Sequence, residues 1–436
     1  MGIAVADVRA FRGIHYNPTL LQDWSRVICP VYDIIPPGQN EQLYSRSPFN
    51  FVRLEAGREL PQDTPTDNKY TRAAATLDEW LHDGILETDH TPAIYLHHHV
   101  FTFAGQQYTR RALIARVHLE EWDRMIVRPH ESTFADARSD RLSLLWAIQA
   151  NTSSILSLFQ DEEGTVRTVL ARAEKAAPAF DLKMAAGEGH RVWALSPDVT
   201  GQISSALAAV PLYIADGHHR YESALAYSRQ RRSTSQLPDG QPYDFVMMTL
   251  VPFDDPGLLI LPPHRLIRGI TRSVFDGLRP KLAAVFKIDE WDSTSPGSWE
   301  RLDTLRKPQD KPRLALFGLN KKSLLVLEPK DLESLAPMMP QFHSDLYRRL
   351  EVSIIDHVIL EKLLGLSHEK DKVGYTYIRQ DAMERVQSGE FQLAFILEPI
   401  RPETIKGIAD LGDKMPKKST YFYPKVPAGL IMNRLV

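Results

Sequence analysis

The 436-residue chain sets 52 lysines and arginines against 55 aspartates and glutamates, a formal net charge of -3, and 43% of its residues are hydrophobic. That length predicts two or three compact units with sizeable cores, and the near balance of charge removes any global attraction to nucleic acid or anionic lipid. The single cysteine, Cys29, excludes an internal disulfide and a cysteine-rich zinc site; with no signal-type N-terminus and no run of about 18 apolar residues, the expectation is a cytoplasmic protein that does not span a membrane.

In chain order, residues 3–11, 26–35 and 51–54 read as short strands. Residues 70–82 place Ala73, Leu77, Trp80 and Leu81 at helical spacing and end before Gly84. Residues 93–103 and 108–118 alternate as a β-hairpin turning at Ala104-Gly105, and the sheet continues into 127–131. Helices follow at 138–149 and 166–176, and strands at 191–195, 211–214, 245–252 and 258–261. Residues 228–243 form a polar connection. A second unit starts near Thr271, with a helix over 273–285, strands at 313–317 and 323–327, a helix over 354–364, a charged loop at 367–372 and a strand at 392–397. Strands and helices mix without strict βαβ alternation, which predicts an α+β (mixed α/β) fold.

The most informative segment is ADGHHRY, residues 215–221. An apolar strand runs into Gly217 and then a helix, whose first backbone N–H groups and dipole favour an anion. Gly217 lets a ligand approach the backbone, Arg220 can grip two phosphate oxygens, and His218 and His219 add donors. Asp216 either caps the helix, binds a divalent cation or accepts a substrate proton. The competing reading is an ordinary helix start with Asp216 as its cap.

Further polar clusters stand at the ends of apolar runs: Arg12 with His15; Tyr32 and Asp33 after Cys29; His130 and Glu131, with Asp140 and Arg141 shortly after; and His264 with Arg265. Each has a structural alternative, such as Asp33 capping a turn or Glu131 pairing with an arginine. Near the chain end, Lys418, Ser419, Thr420 and Lys425 suit a nucleotide, with lysines neutralising phosphate and hydroxyls reaching a metal or phosphate oxygen. A basic terminal strand docked on the core is the other reading. No Walker-type loop, dinucleotide fingerprint, nucleophile elbow or H-E-x-x-H zinc helix occurs. The triplet 97–99 (His-His-His) lies in a strand and reads as surface or packing.

The motifs CPVYDII, RPHEST with a following DR, YIADGHHRYESALAY, ILPPHRLI and MPKKSTYFYPK, in that order, resemble the domain of unknown function 1015 family from Val8 onward. Departures are Val31, where a second proline is expected, and Pro263, where threonine is. The resemblance implies a ParB/sulfiredoxin-like unit over residues 1–270, with an inserted β-rich segment at about 90–200, and a C-terminal α+β domain over 271–436 whose tail is a candidate to return to the site. Free-serine kinases of that fold have a similar D-G-H-H-R loop, matching Asp216, Gly217, His218, His219 and Arg220.

The implied function is small-molecule phosphotransfer from a nucleotide or pyrophosphate, with Mg2+, to a hydroxyl compound such as serine. Asp33, Glu131, Asp216 and His219 are the candidate catalytic residues, with Asp216 also the candidate metal ligand. Gly217, His218, His219, Arg220, Lys418, Ser419, Thr420 and Lys425 are candidates for phosphate, and Arg12, Tyr32, His130, Arg141, His264 and Arg265 for substrate. Two alternatives stand beside it: a ParB-type nucleotide-dependent switch, and a metal-dependent hydrolase using the histidines. Nucleic acid is not an expected partner, and the oligomeric state is left open.

Overall fold

A computed structural model describes residues 6–36, 38–132, 135–184, 187–234, 236–306, 312–366 and 371–436. Thr133 of the RPHEST run and residues 367–370 of the charged loop fall outside that set. The chain divides into two compact units: the first comprises Met1–Pro129, Thr133–Leu259 and Pro424–Val436, the second His130–Ser132 and Ile260–Tyr423.

The first unit is built on a nine-stranded mixed sheet. Its strands are β1 (Val8–Arg9), β2 (Tyr95–Phe103), β3 (Gln106–His118), β4 (Val127–Arg128), β5 (Ile155–Phe159), β6 (Phe180–Lys183), β7 (Gly189–Ala194), β8 (Leu212–Asp216) and β9 (Phe245–Pro252). The spatial order is β4-β8-β5-β9-β3-β2-β7-β6, with β1 added beside β3. Only the β8/β4 and β9/β5 pairs are parallel. The predicted β2–β3 hairpin forms, and its turn puts Ala104 at φ 49° and Gly105 at φ 80°; two consecutive positive φ values match the right-handed strand twist. Every residue of β9 is buried, as expected of an unbroken apolar run in the middle of a covered sheet.

Helices α1 (Lys69–His82), α2 (Ala135–Ile148), α3 (Thr165–Ala173), α4 (Pro197–Leu207) and α5 (His218–Ser233) complete this unit. The start of α1 is fixed by Asn68, whose side chain accepts from the Tyr70 and Thr71 N–H groups while Thr71 returns a bond to the Asn68 N–H. Gly84, at φ 73°, ends it. The last residues of the chain dock here too, through bridges Cys29↔Ala428 and Ile14↔Met432 and the pair Asn433↔Asn151.

The second unit holds a six-stranded, wholly antiparallel sheet of β10 (His264–Ile267), β11 (Phe286–Asp292), β12 (Leu314–Phe317), β13 (Ser323–Pro329), β14 (Val373–Thr376) and β15 (Leu393–Ile396), in the order β11-β13-β12-β15-β10-β14. Leu314, Leu316, Leu325, Leu327, Leu393 and Phe395 bury one face against α6 (Leu278–Val285) and α7 (Ile354–Leu363), a helix wound with wide π-type turns. The mixed α+β class is therefore the observed one.

Four local expectations need correction. Residues 26–35 hold single helical turns at Trp24–Arg26 and Tyr32–Ile34 with an isolated bridge at Cys29, and residues 51–54 begin a helical turn, Val52–Glu55. Short apolar runs do not separate strand from helix by periodicity. Residues 273–285 form two helices, Arg272–Asp276 and α6, interrupted at Gly277. The polar connection starts later than 228, because α5 continues to Ser233.

Candidate functional site

In the first unit the 215–221 segment folds as its composition predicts. β8 ends at Asp216, Gly217 takes φ 94°, and the 16-residue α5 begins at His218 with no side chain capping it. A Cβ at Gly217 would lie 3.0 Å from the Arg220 guanidinium, so glycine is required by conformation and by space.

Asp216 is the hub. One carboxylate oxygen takes Arg220 Nη2 at 2.8 Å and the other is ion-paired with Lys425, which also reaches Asp33 at 3.4 Å. The bridge between Cys29 and Ala428 explains the meeting of residues so far apart in sequence: Asp33 lies four residues beyond one end and Lys425 three before the other. Burial pushes the Asp216 carboxyl toward neutrality, but Lys425 and Arg220 outweigh it and hold the group well below the usual carboxylate range. The converse holds for the cations. Burial opposes the charge of Lys425 and Arg220, while Asp216 and then Asp33 raise both above their ordinary values. Arg220 Nη1 donates to the Ser154 carbonyl, and its Nε is buried without a hydrogen-bond partner.

Next to this group, the Arg141 guanidinium lies 4.0 Å from the centre of the Tyr32 ring, pairs with Asp140 and donates to the Glu55 carbonyl at 2.8 Å. Burial lifts the Tyr32 phenol to about 12, so it stays protonated. A cavity of about 350 Å³ opens here, lined by Tyr32, Asn40, Glu55, Lys69, Asp140 and Arg141 among others. A smaller one, about 30 Å³, touches both Arg141 and Arg220 together with Thr152 and Ser153.

Glu55 was not singled out in the sequence, yet it is fully buried and its carboxylate accepts from Thr152 and Ser153 hydroxyls at 2.5 and 3.0 Å and from the Tyr32 N–H at 3.2 Å. Its only sequence signal is a carboxylate closing the apolar run 51–54. Lys69, paired with Asp140 at 2.8 Å, was also missed. Arg12 sits apart from the Asp216 group in its described bonds: it is exposed and held by the Asp89 carbonyl at 2.7 Å. His218 is buried beside Asp216 and favours its charged form, whereas His219 is half-buried.

In the second unit, Glu131 forms a parallel bridge with Met415 and accepts from the Lys418 N–H at 3.0 Å. The His130 ring lies 3.2 Å from the Thr420 hydroxyl, and Ser419 is buried and donates to the Pro416 carbonyl. His264 accepts the Leu397 N–H at Nδ1, 3.0 Å. Arg265 has no exposure. It pairs with Asp356 through Nε and Nη2 at 3.3 Å and donates to the carbonyls of Pro263, Lys417 and Lys418. That geometry makes Arg265 a clamp for the 417–418 backbone.

Among the described residues no helix is long and apolar enough to cross a membrane. The sequence profile of a family described as "Protein of unknown function (DUF1015)" matches residues 8–353. No curated protein matches the chain. Among solved structures the chain is similar to a conserved hypothetical protein from Pyrococcus furiosus, with 14% identity over 73% of this chain and 93% of that one and a TM-score of 0.34. A free serine kinase in complex with AMP aligns at 14% identity, covering 73% of this chain and 92% of that one, with a TM-score of 0.34. C-terminally truncated SbnI from Staphylococcus aureus aligns at 10% identity over 72% and 84%, with a TM-score of 0.33. Likeness this distant assigns no activity.

Proposed function

The chain belongs to the DUF1015 family, whose description names no activity, and from the site itself we propose that it is a small-molecule phosphotransferase that binds a nucleotide at residues 216–220. The observation that carries this reading is the convergence of Arg220 and Lys425 on Asp216 at an uncapped helix start, with Arg220 Nε still lacking a partner. A polyphosphate there would gain the first N–H groups of α5, each charge-assisted bond being about twice as strong as a neutral one, and would share both cations with Asp216. The two cations stay charged across the physiological range, which transfer of a phosphoryl group requires of the residues that stabilise its equatorial oxygens.

The donor set suits Mg2+ better at Asp33 than at Asp216. Both Asp216 oxygens already face cations, whereas the Asp33 side chain is 36% exposed and meets Lys425 at only 3.4 Å. Bound there, Mg2+ would neutralise phosphate charge. Asp33 would also position the acceptor hydroxyl. The cavity beside Tyr32 and Arg141, lined by both cations and carboxylates, suits a small polar acceptor such as a hydroxy amino acid. The ParB/sulfiredoxin-like assignment and a cytoplasmic location belong to the same proposal.

The test is transfer of labelled phosphate from ATP, ADP or pyrophosphate to serine and related hydroxy acids, with Arg220→Ala and Lys425→Met as variants. Product formed by the native protein and lost in both variants supports the reading; no transfer from any donor rejects the chemistry. A second reading rests on one observation, that Lys425 ties the C-terminal segment to the loop. A nucleotide competing for Lys425 would loosen that tie, as in a switch protein, and nucleotide binding with altered proteolysis of residues 424–436 but no turnover would favour it.

A further inference from the structure

A second polar group lies on the sheet of the first unit, made of residues that the proposed phosphotransfer does not use. His97 and His99, two apart on β2, share one side of the sheet. His190 on β7 is the cross-strand partner of His99, and Arg110 on β3 flanks His99 from the other strand. The sequence suggested surface or packing for the triplet; all three members are buried, with His98 on the opposite side against Trp193.

Glu188 brings a carboxylate to this group. Its Oε1 lies 2.7 Å from His99 Nε2 and 3.8 Å from His190 Nε2, and one ligand atom from each of the three residues falls within 4.8 Å of the others. His190 Nδ1 is 3.0 Å from His97 Nε2, while His190 Nε2 is buried with no hydrogen-bond partner. A neutral imidazole that donates its Nδ1–H to His97 presents a bare lone pair at Nε2, the form a metal ligand takes when its other nitrogen is anchored.

We infer that His99, Glu188 and His190 form a binding site for one divalent first-row cation of the imidazole-preferring class, Zn2+ foremost. Three protein donors are one short of a tetrahedral shell, and Glu188 is 39% exposed, so water supplies the fourth. Arg110 sets the strength. Its Nη2 donates to His99 Nδ1 at 3.1 Å and to the Pro424 carbonyl at 2.9 Å. With a cation on Nε2, His99 carries its proton on Nδ1, so Arg110 surrenders the first bond and keeps the second. That loss and the positive charge of Arg110 both weaken the site relative to one with a carboxylate behind the histidine.

The experiment titrates chelator-treated full-length protein with Co2+, followed by its visible absorption, and then displaces it with Zn2+. One equivalent is expected, with affinity reduced about tenfold or more in Glu188→Gln and in His190→Gln. Glu188 is partly exposed, so its variant keeps the inference falsifiable even where the buried His190→Gln fails to fold. Absence of stoichiometric binding, or binding unaltered by Glu188→Gln, overturns the site. Nucleotide chemistry enters neither readout.

Discussion

Two arginines that follow apolar runs, Arg220 in the first turn of α5 and Arg265 near the start of β10, look alike in sequence and differ in what they leave unsatisfied. A guanidinium has five N–H donors. Arg265 directs them to Asp356 and to the carbonyls of Pro263, Lys417 and Lys418 and has no exposure, so it holds its own backbone and offers nothing to a ligand. Arg220 bonds Asp216 and the Ser154 carbonyl but has a buried Nε without a partner, beside a helix start and the smaller cavity. Unmet donor capacity separates a binding residue from a structural one more sharply than charge or position does.

The largest effect that would break this comparison concerns Arg265. Replacing it with methionine leaves Asp356 as an uncompensated buried charge, for an expected stability loss of about 3–5 kcal/mol in urea unfolding. A loss under about 1 kcal/mol would remove its structural role.

Next comes pH, which contrasts Asp216 with Asp255. Burial raises the Asp255 carboxyl to about 6, only partly offset by bonds from the Gly257 and Arg111 N–H groups, so the folded state binds more protons than the unfolded state between pH 4 and 6. Stability therefore falls as pH rises through that window, by at most about 3 kcal/mol, and Asp255→Asn flattens the fall. Asp216 has the opposite sign: its depressed value contributes stability above the ordinary carboxylate range that is lost on acidification below it. Unfolding curves at several pH values for the native protein, Asp255→Asn and Asp216→Asn resolve the two signs.

The smallest expected effect is at Gly217. Alanine at φ 94° carries strain of about 1–2 kcal/mol and presses on the Arg220 guanidinium, so nucleotide affinity falls more than stability does. Melting temperature and binding measured on the same preparation check that split.

Elements with strong local signals were legible in sequence. The β2–β3 hairpin had alternation and a glycine turn, α1 had regular spacing and a glycine stop, and the 215–221 segment joined an apolar strand to a glycine and a helix. Residues 26–35 and 51–54 were misread because runs of a few apolar residues suit a helical turn as well as a strand. The neighbours of the loop were less visible. Glu55 gains meaning only from Thr152, Ser153 and Tyr32, and the Lys425–Asp216 pair spans 209 residues, so no window of sequence contains either group.

Calorimetric titration of the native protein and Arg220→Ala with ATP and Mg2+ tests the central claim most directly. One nucleotide per chain, with affinity at least about tenfold weaker in the variant, is the predicted result. Equal affinity in the two proteins would contradict the assignment of residues 216–220 as the phosphate site.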